Sequence, residues 1–391
     1  MELKLNLVVP ESVSSPDQPA KHIFMSVTSI AEVIAHLESF APPSLQESYD
    51  NSGLLVGDPA TAVNGILVSL DCTEAVVAEA VSTGCNLIVC HHPVIFGGLK
   101  RLNGKNYIER TVMAAIRNDV AIYAIHTNLD NVRDGVNRMI AGRLGLRALS
   151  VLSPKTGLLR KLVTFVPLLQ SEAVRSALFG AGAGSIGKYD SCSFNTEGTG
   201  TFRAGPETDP FVGKKGEHHA ENELRIEVVY ERWKEGAILK ALRASHPYEE
   251  IAYDIYTLEN QHTGVGAGLI GELAAPVGEL EFLQKIKESM LAGCVRHTAL
   301  RGKSIQKVAV CGGSGSFLLN DAKKAGADLF LTADFKYHQF FDAEGQLIIA
   351  DIGHYESEQF TMELIKSLIV EKFATFAVRL TGVNTNPVSY L

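Results

Sequence analysis

The chain is short of basic residues, with 36 Lys and Arg against 44 Asp and Glu and a net charge of -8. A broad nucleic-acid surface needs the opposite balance, so nucleic acid is not an expected partner. Long apolar runs are also missing. None approaches the ~20 residues of a membrane helix. The first 24 residues lack the apolar centre of a secretory signal. They are polar and rich in Pro and Ser after Val9, and read as a flexible tail, with folded sequence starting near Met25. No two of the six cysteines form a C-x-x-C pair, which argues against a cysteine zinc site. Cys72, Cys85, Cys90, Cys192, Cys294 and Cys311 include several within apolar runs such as LIVC and VAVC. They read as buried free thiols in a reducing, cytoplasmic compartment.

What is present is a globular composition, 46% hydrophobic and 20% charged over 391 residues, long enough for two or three domains. Apolar positions at Ile30, Val33, Ile34, Leu37 and Phe40 predict a helix over 29–40, opened by a Ser29/Glu32 capping box and stopped by Pro42 and Pro43. Strand-like runs then alternate with helical segments. GILVSL (65–70), LIVC (87–90) and VAIYAI (120–125) read as strands, and 73–82, 108–118 and 134–144 as helices. Such continuous apolar runs suit a mostly parallel sheet covered on both faces.

The cassette recurs in VAVC (308–311), a helix over 317–324, and strands at 329–331 and 347–350. AEAVSTGCNLIVCH, from Ala78, aligns without a gap on NDAKKAGADLFLTA, from Asn320. One residue further, His92 falls opposite Asp334. The expected fold is α/β, with two similar halves, 25–155 and 263–391, forming one core. Between them, 156–262 has a different character. With one further strand in its Gly-rich region, its order becomes strand, helix, strand, strand, helix, strand, a ferredoxin-like α+β module.

Three polar clusters follow strands of these halves. His91 and His92 close LIVC. Neighbours on an extended chain point to opposite sides, so the pair suits two adjacent metals better than one. Asp130 follows the next strand in HTNLDN, where an aspartate also serves as a turn former or cap. His354 and Glu358, in GHYESEQF, share one face if that segment is helical. Open α/β sheets bind ligands at the carboxyl ends of their strands. Three imidazoles and two carboxylates there suit two divalent ions per chain: zinc, iron, manganese, nickel or cobalt. A pair about 3.5–4 Å apart generates a hydroxide nucleophile near neutral pH. His126 reads as a ligand, a residue behind the ligands, or a core histidine. His126 and Asp334 are also the acid–base candidates. His218-His219 sits in a polar stretch and reads as surface. GGSGS (312–316) lacks the lysine of a P-loop and reads as a tight turn. HPYEE (246–250) is distinctive but has no derivable ligand geometry, and YDNSG (49–53) reads as a turn or crevice wall.

YDNSGLLVGD, CHHP, HTNLDN, VAVCGGSG and GHYESE, in this order, resemble the Nif-three-like dinuclear-metal proteins, also labelled GTP cyclohydrolase 1 type 2 homologues. HPYEEIAYDIYTLEN resembles the PII/CutA-like domain inserted in longer members. The resemblance covers the chain from about Met25 onward. It implies a toroidal homohexamer with metal sites facing an internal cavity, and His91, His92, Asp130, His354 and Glu358 as the ligands. Three functions are then open. One is a metal-dependent hydrolase of a nucleotide or pterin-like molecule. The second is a metal-handling or insertion protein with a client protein, and the third a regulatory scaffold.

Overall fold

The computed structural model describes residues 28–391, and the tail expected over 1–24 lies outside the described residues. Three sheets are present among the described residues. The first has five strands in the order Gly53–Val56, Ala121–Ala124, Leu87–Cys90, Gly65–Ser69, Ala377–Leu380. The last four run parallel and Gly53–Val56 is antiparallel. The second has six, in the order Arg296–His297, Ile348–Asp351, Leu329–Ala333, Ile305–Ser314, Gly266–Val277, Arg147–Pro154. Its parallel members are Ile348–Asp351, Leu329–Ala333 and Ile305–Ser314. Each half thus contains three consecutive parallel strands, as the repeated cassette predicts.

Period-two alternation explains why these strands read as unbroken apolar runs. In the first sheet Leu87 and Val89 face a central core, while Ile88 and Cys90 face an outer layer with the helices Glu74–Ser82 and Tyr107–Arg117. In the second, Leu329 and Leu331 face the same central core and Phe330 faces the other outer layer. Between the sheets lie the apolar stripes of Ile30–Phe40, Val136–Leu144, Glu279–Ser289 and Thr361–Lys372, with Leu37, Ile140, Phe282 and Ile365 all buried. The Ser29/Glu32 capping box forms as expected.

The halves exchange strands. Arg147–Pro154 precedes the middle segment yet lies in the second sheet against Gly266–Val277. Ala377–Leu380 comes from the far end of the second half and pairs with Gly65–Ser69. Apolar periodicity reports that a strand is buried, not which strand it neighbours.

The middle segment forms its own antiparallel sheet, ordered Phe194–Arg203, His218–Glu231, Leu159–Pro167, Tyr253–Leu258. The helices Ser171–Gly180 and Glu235–Ser245 pack against it around Leu162, Val174, Ile226 and Leu242. His218 and His219, expected in a polar stretch without strand context, open the 14-residue strand of this sheet. The sequence reads as a strand over Glu223–Tyr230, and the polar residues before Glu223 hid only the first part of it. All six cysteines are free, but only four are buried. Cys192 is half-buried and Cys294 is exposed.

Candidate metal centre

The carboxyl ends of the two parallel strand sets face each other. Asp71, His91 and His92, and His126 follow the strands Gly65–Ser69, Leu87–Cys90 and Ala121–Ala124. Asp334 and His354 follow Leu329–Ala333 and Ile348–Asp351. All but the fully buried His91 line a cavity of about 1090 Å³, together with Asp130 and Glu358. All five residues singled out from the sequence meet there. The atoms of His91, Asp130 and Glu358 that can ligate lie within 4.8 Å of one another, and so do those of His92, His354 and Glu358. Glu358 belongs to both groups. His91, His92 and His126 form a third group within the same limit.

Each imidazole is held by its Nδ1. The His91 ring lies 2.8 Å from the Ile125 carbonyl, which accepts only, so Nδ1 carries the proton and Nε2 presents a lone pair. His92 Nδ1 is 2.8 Å from Asp71, and His354 Nδ1 is 2.7 Å from Asp334. His126 Nδ1 is 2.7 Å from Asp50. Carboxylate or carbonyl bonds of this kind fix the ring and the tautomer of metal-binding histidines. The Nε2 atoms of His92 and His354 reach Glu358 Oε2 at 2.9 and 3.1 Å. His91 Nε2 faces Glu358 Oε1 at 3.9 Å and Asp130 Oδ1 at 3.6 Å. The adjacent histidines therefore address opposite oxygens of one carboxylate, their ring planes 47° apart.

His91 Nε2 and Asp130 Oδ1 are both buried with no hydrogen-bond partner. A ring-nitrogen lone pair facing an ionised carboxylate oxygen, with no partner for either atom, is costly unless a cation lies between them. Their 3.6 Å separation is what two ligands, each about 2.0–2.2 Å from one shared ion, would present. The residues present therefore fit a divalent metal.

Protons substitute for such cations in the metal-free protein. Burial drives His91 down to about 3, against the pull of Glu358. Burial also opposes charge on His92, but the bonds to Asp71 and Glu358 outweigh it and raise the group to about 9. His354 rises to about 11, burial being overcome by the charge of Glu358 and the bond to Asp334. Burial, and then Glu358, push Asp130 well above the carboxylate range. Burial likewise works against ionised Glu358, yet the charges of His354 and His92 hold it well below that range.

The local sequence serves this arrangement. In HTNLDN, Thr127 donates to Asp50, Asn128 to the Ala41 carbonyl and Asn131 to the Leu45 carbonyl. These bonds fix the turn Thr127–Asp130 and leave the Asp130 carboxylate to the cavity. GHYESE forms the short helix His354–Glu358 that the i, i+4 spacing predicts. GGSGS is not the tight turn expected. The strand runs through Ser314, and Gly312 and Gly313 donate to Asn137 and Ser357. Gly313 has φ +60°, and a Cβ there would lie 2.4 Å from Glu358 Oε1. These amides are already bonded to side chains, and the missing Cβ is room for Glu358.

Asp71 escaped the sequence reading, although it follows a strand as the histidines do. Asp50 read only as a turn or crevice wall. Asp334, an acid–base candidate from the sequence, lines the site in the left-handed region at φ +59°, a strained setting for a residue with a Cβ. Thr385 donates to Asp71 at 2.6 Å, bringing the C-terminal segment over the site.

The chain is similar to known proteins over nearly its whole length. The family model Duf34/NIF3 (NGG1p interacting factor 3) matches residues 28–387. A protein of Halalkalibacterium halodurans named GTP cyclohydrolase 1 type 2 homolog is 38% identical over 373 residues, covering 94% of this chain and 100% of that one. The Bacillus subtilis protein of the same name is 36% identical, covering 92% and 98%. A crystal structure of a Bacillus cereus protein related to NIF3 superposes with a TM-score of 0.82 at 35% identity, covering 93% of this chain and all of that one. With match, identity and superposition each spanning nearly the whole chain, the protein belongs to the Duf34/NIF3 family.

Proposed function

We propose that this protein is a dinuclear metal protein that hydrolyses a small molecule. His91, Asp130 and Glu358 would hold one ion, and His92, His354 and Glu358 the other, with Glu358 between them. The observation that carries this reading is the pair of partnerless buried acceptors, His91 Nε2 and Asp130 Oδ1, 3.6 Å apart. Two divalent ions would supply Lewis acidity and acidify water near neutral pH. The chain's own part is orientation: Asp71 and Asp334 hold the rings of His92 and His354. His126, held by Asp50, lies beside both His91 and His92, placed to accept or return a proton at Nε2.

The cavity favours substrates of low negative charge. Arg296 is the one Lys or Arg among the described residues lining it, and it is engaged by Asp351 and the Phe335 carbonyl. Seven carboxylates line the same walls. A triphosphate would meet little cationic charge beyond the ions themselves. The aromatic rings of Tyr49, Phe96, Tyr107, Phe317, Tyr355 and Tyr390 suit a planar ring system instead. A pterin-like molecule therefore fits these walls better than GTP.

A second reading, metal handling for a client protein, is favoured by the exposure of His354 and Asp334. Their side chains are 40% and 47% accessible, so one ion position opens to solvent. The homohexamer is also part of the proposal, supported by the exposed apolar side chains of Phe317, Tyr337 and Phe341. Light scattering on the purified chain tests it. The resemblance of HPYEEIAYDIYTLEN to a PII/CutA-like domain is supported by the strand-helix-strand-strand-helix-strand order of the middle segment.

Metal content per chain, measured by mass spectrometry on protein purified without chelators or a His-tag, is the deciding experiment. About two ions in the wild type, with clear loss in Asp130→Ala, are expected. A wild type that neither carries nor takes up metal would remove the basis for both readings. Metal-loaded protein that leaves a panel of nucleotides and pterins unchanged, yet transfers metal to an apo-acceptor, would select the handling role.

A further inference from the structure

We propose that the middle segment carries a second ligand site, separate from the metal centre, which takes a small organic cation with an aromatic or apolar body. The site is a cavity of about 610 Å³ between the hairpin Phe194–Arg203/His218–Glu231, the loop over 204–217, and HPYEE. HPYEE thereby gains a role that the metal centre does not give it.

The cavity is built rather than incidental. His246, buried at the end of the helix Glu235–Ser245, bonds to the Phe165 carbonyl and accepts from the Tyr248 amide, which fixes the turn. Glu249 accepts from the Asp209 amide at 2.8 Å and ties the 204–217 loop across the opening. Phe202 and Phe211 then both lie close to Tyr248, with centroids 6.5 and 6.3 Å from its ring, and all three line the cavity. Aromatic rings lining one space are common surroundings of an alkylammonium or a guanidinium group.

Glu223 decides the charge. It is only 9% exposed and lines the cavity. One of its oxygens accepts from the Tyr248 hydroxyl at 2.8 Å. Among the described residues it has no Lys, Arg or His partner within ion-pair distance. Gly200 allows it this position, since a Cβ there would lie 2.1 Å from Glu223 Oε2. A buried carboxylate without a counter-charge is costly, and a bound cation would relieve it. Arg203 and Arg225 also line the cavity, but Arg203 donates to the Gly216 carbonyl and Arg225 pairs with Glu227. Glu197, Glu249 and Glu250 leave the walls net acidic.

The test is calorimetric titration of the full chain with three probes of similar size: 2-phenylethylammonium, 2-phenylethanol and 3-phenylpropionate. The cation is expected to bind at least about tenfold more tightly than the alcohol, and the carboxylate not at all. Glu223→Gln is expected to abolish the preference for the cation while metal content stays at the wild-type level. Phe211→Ala, on the loop rather than in the sheet, should weaken the cation even if Glu223→Gln proves unstable. Equal binding of cation and alcohol, no binding of the cation at millimolar concentration, or an unchanged preference in a folded Glu223→Gln would overturn the proposal.

Discussion

At the scale of single residues, the site works by committing one nitrogen of each ring. Ile125, Asp71 and Asp334 occupy the Nδ1 atoms of His91, His92 and His354, so only the Nε2 atoms are left to point inward. Removing such an anchor should leave the ligand in place but badly aimed. Asp71→Asn is expected to weaken metal affinity about 10- to 100-fold with little change in melting temperature, measured by competition with a chromogenic chelator. The raised values of about 9 for His92 and about 11 for His354 set the pH behaviour. Both groups hold protons at neutral pH that entering ions must displace, so affinity should rise with pH toward that range. Titration of metal at pH 7 in two buffers of different ionisation heat should reveal net proton release; none would contradict this account. Folding of the metal-free protein has the opposite dependence on pH. Because both folded values lie above the ordinary histidine value, the stabilisation is fully present below that value. It is lost as pH rises through about 9 for His92 and about 11 for His354.

Among the elements, the strand Ile305–Ser314 shows what composition conceals. GGSGS advertises conformational freedom, and a turn was the natural reading. Its real constraint is the Glu358 carboxylate, forty-five positions further on, which no local pattern reveals. Gly313→Ala should cost about 1–3 kcal/mol from the positive φ alone and also displace Glu358, lowering metal content. Normal loading in a folded variant would show that Glu358 has slack. By contrast, the helix His354–Glu358, the strand end carrying His91 and His92, and the segment after Ala121–Ala124 that carries Asp130 were legible. Their apolar runs are buried on both faces and their polar residues begin where those runs stop. The long strand His218–Glu231 was partly illegible because its first residues alternate polar side chains over an exposed hairpin.

On the scale of the whole molecule, the middle segment leaves and rejoins the core at one place. The His262 amide donates to the Lys155 carbonyl, and the Lys155 amide to the Val265 carbonyl. Replacing residues 156–262 by a short Gly/Ser link should therefore give a folded core that keeps its metal. The cost should be on the order of a few kcal/mol, that of uncovering one or two large side chains, since Trp233 and Leu158 pack on Leu45 and Val265. Calorimetry and metal content of the excised chain check this, and an insoluble product would show the segment to be integral. The strand exchange has a consequence of another kind, in synthesis. Gly65–Ser69 acquires its outer neighbour, Ala377–Leu380, only after about three hundred more residues have been made. At ordinary translation rates that is a wait of roughly 15–60 s. Until then the edge of Gly65–Ser69 that Ala377–Leu380 covers in the finished fold has no partner strand, and an unpaired strand edge is a template for pairing with another chain.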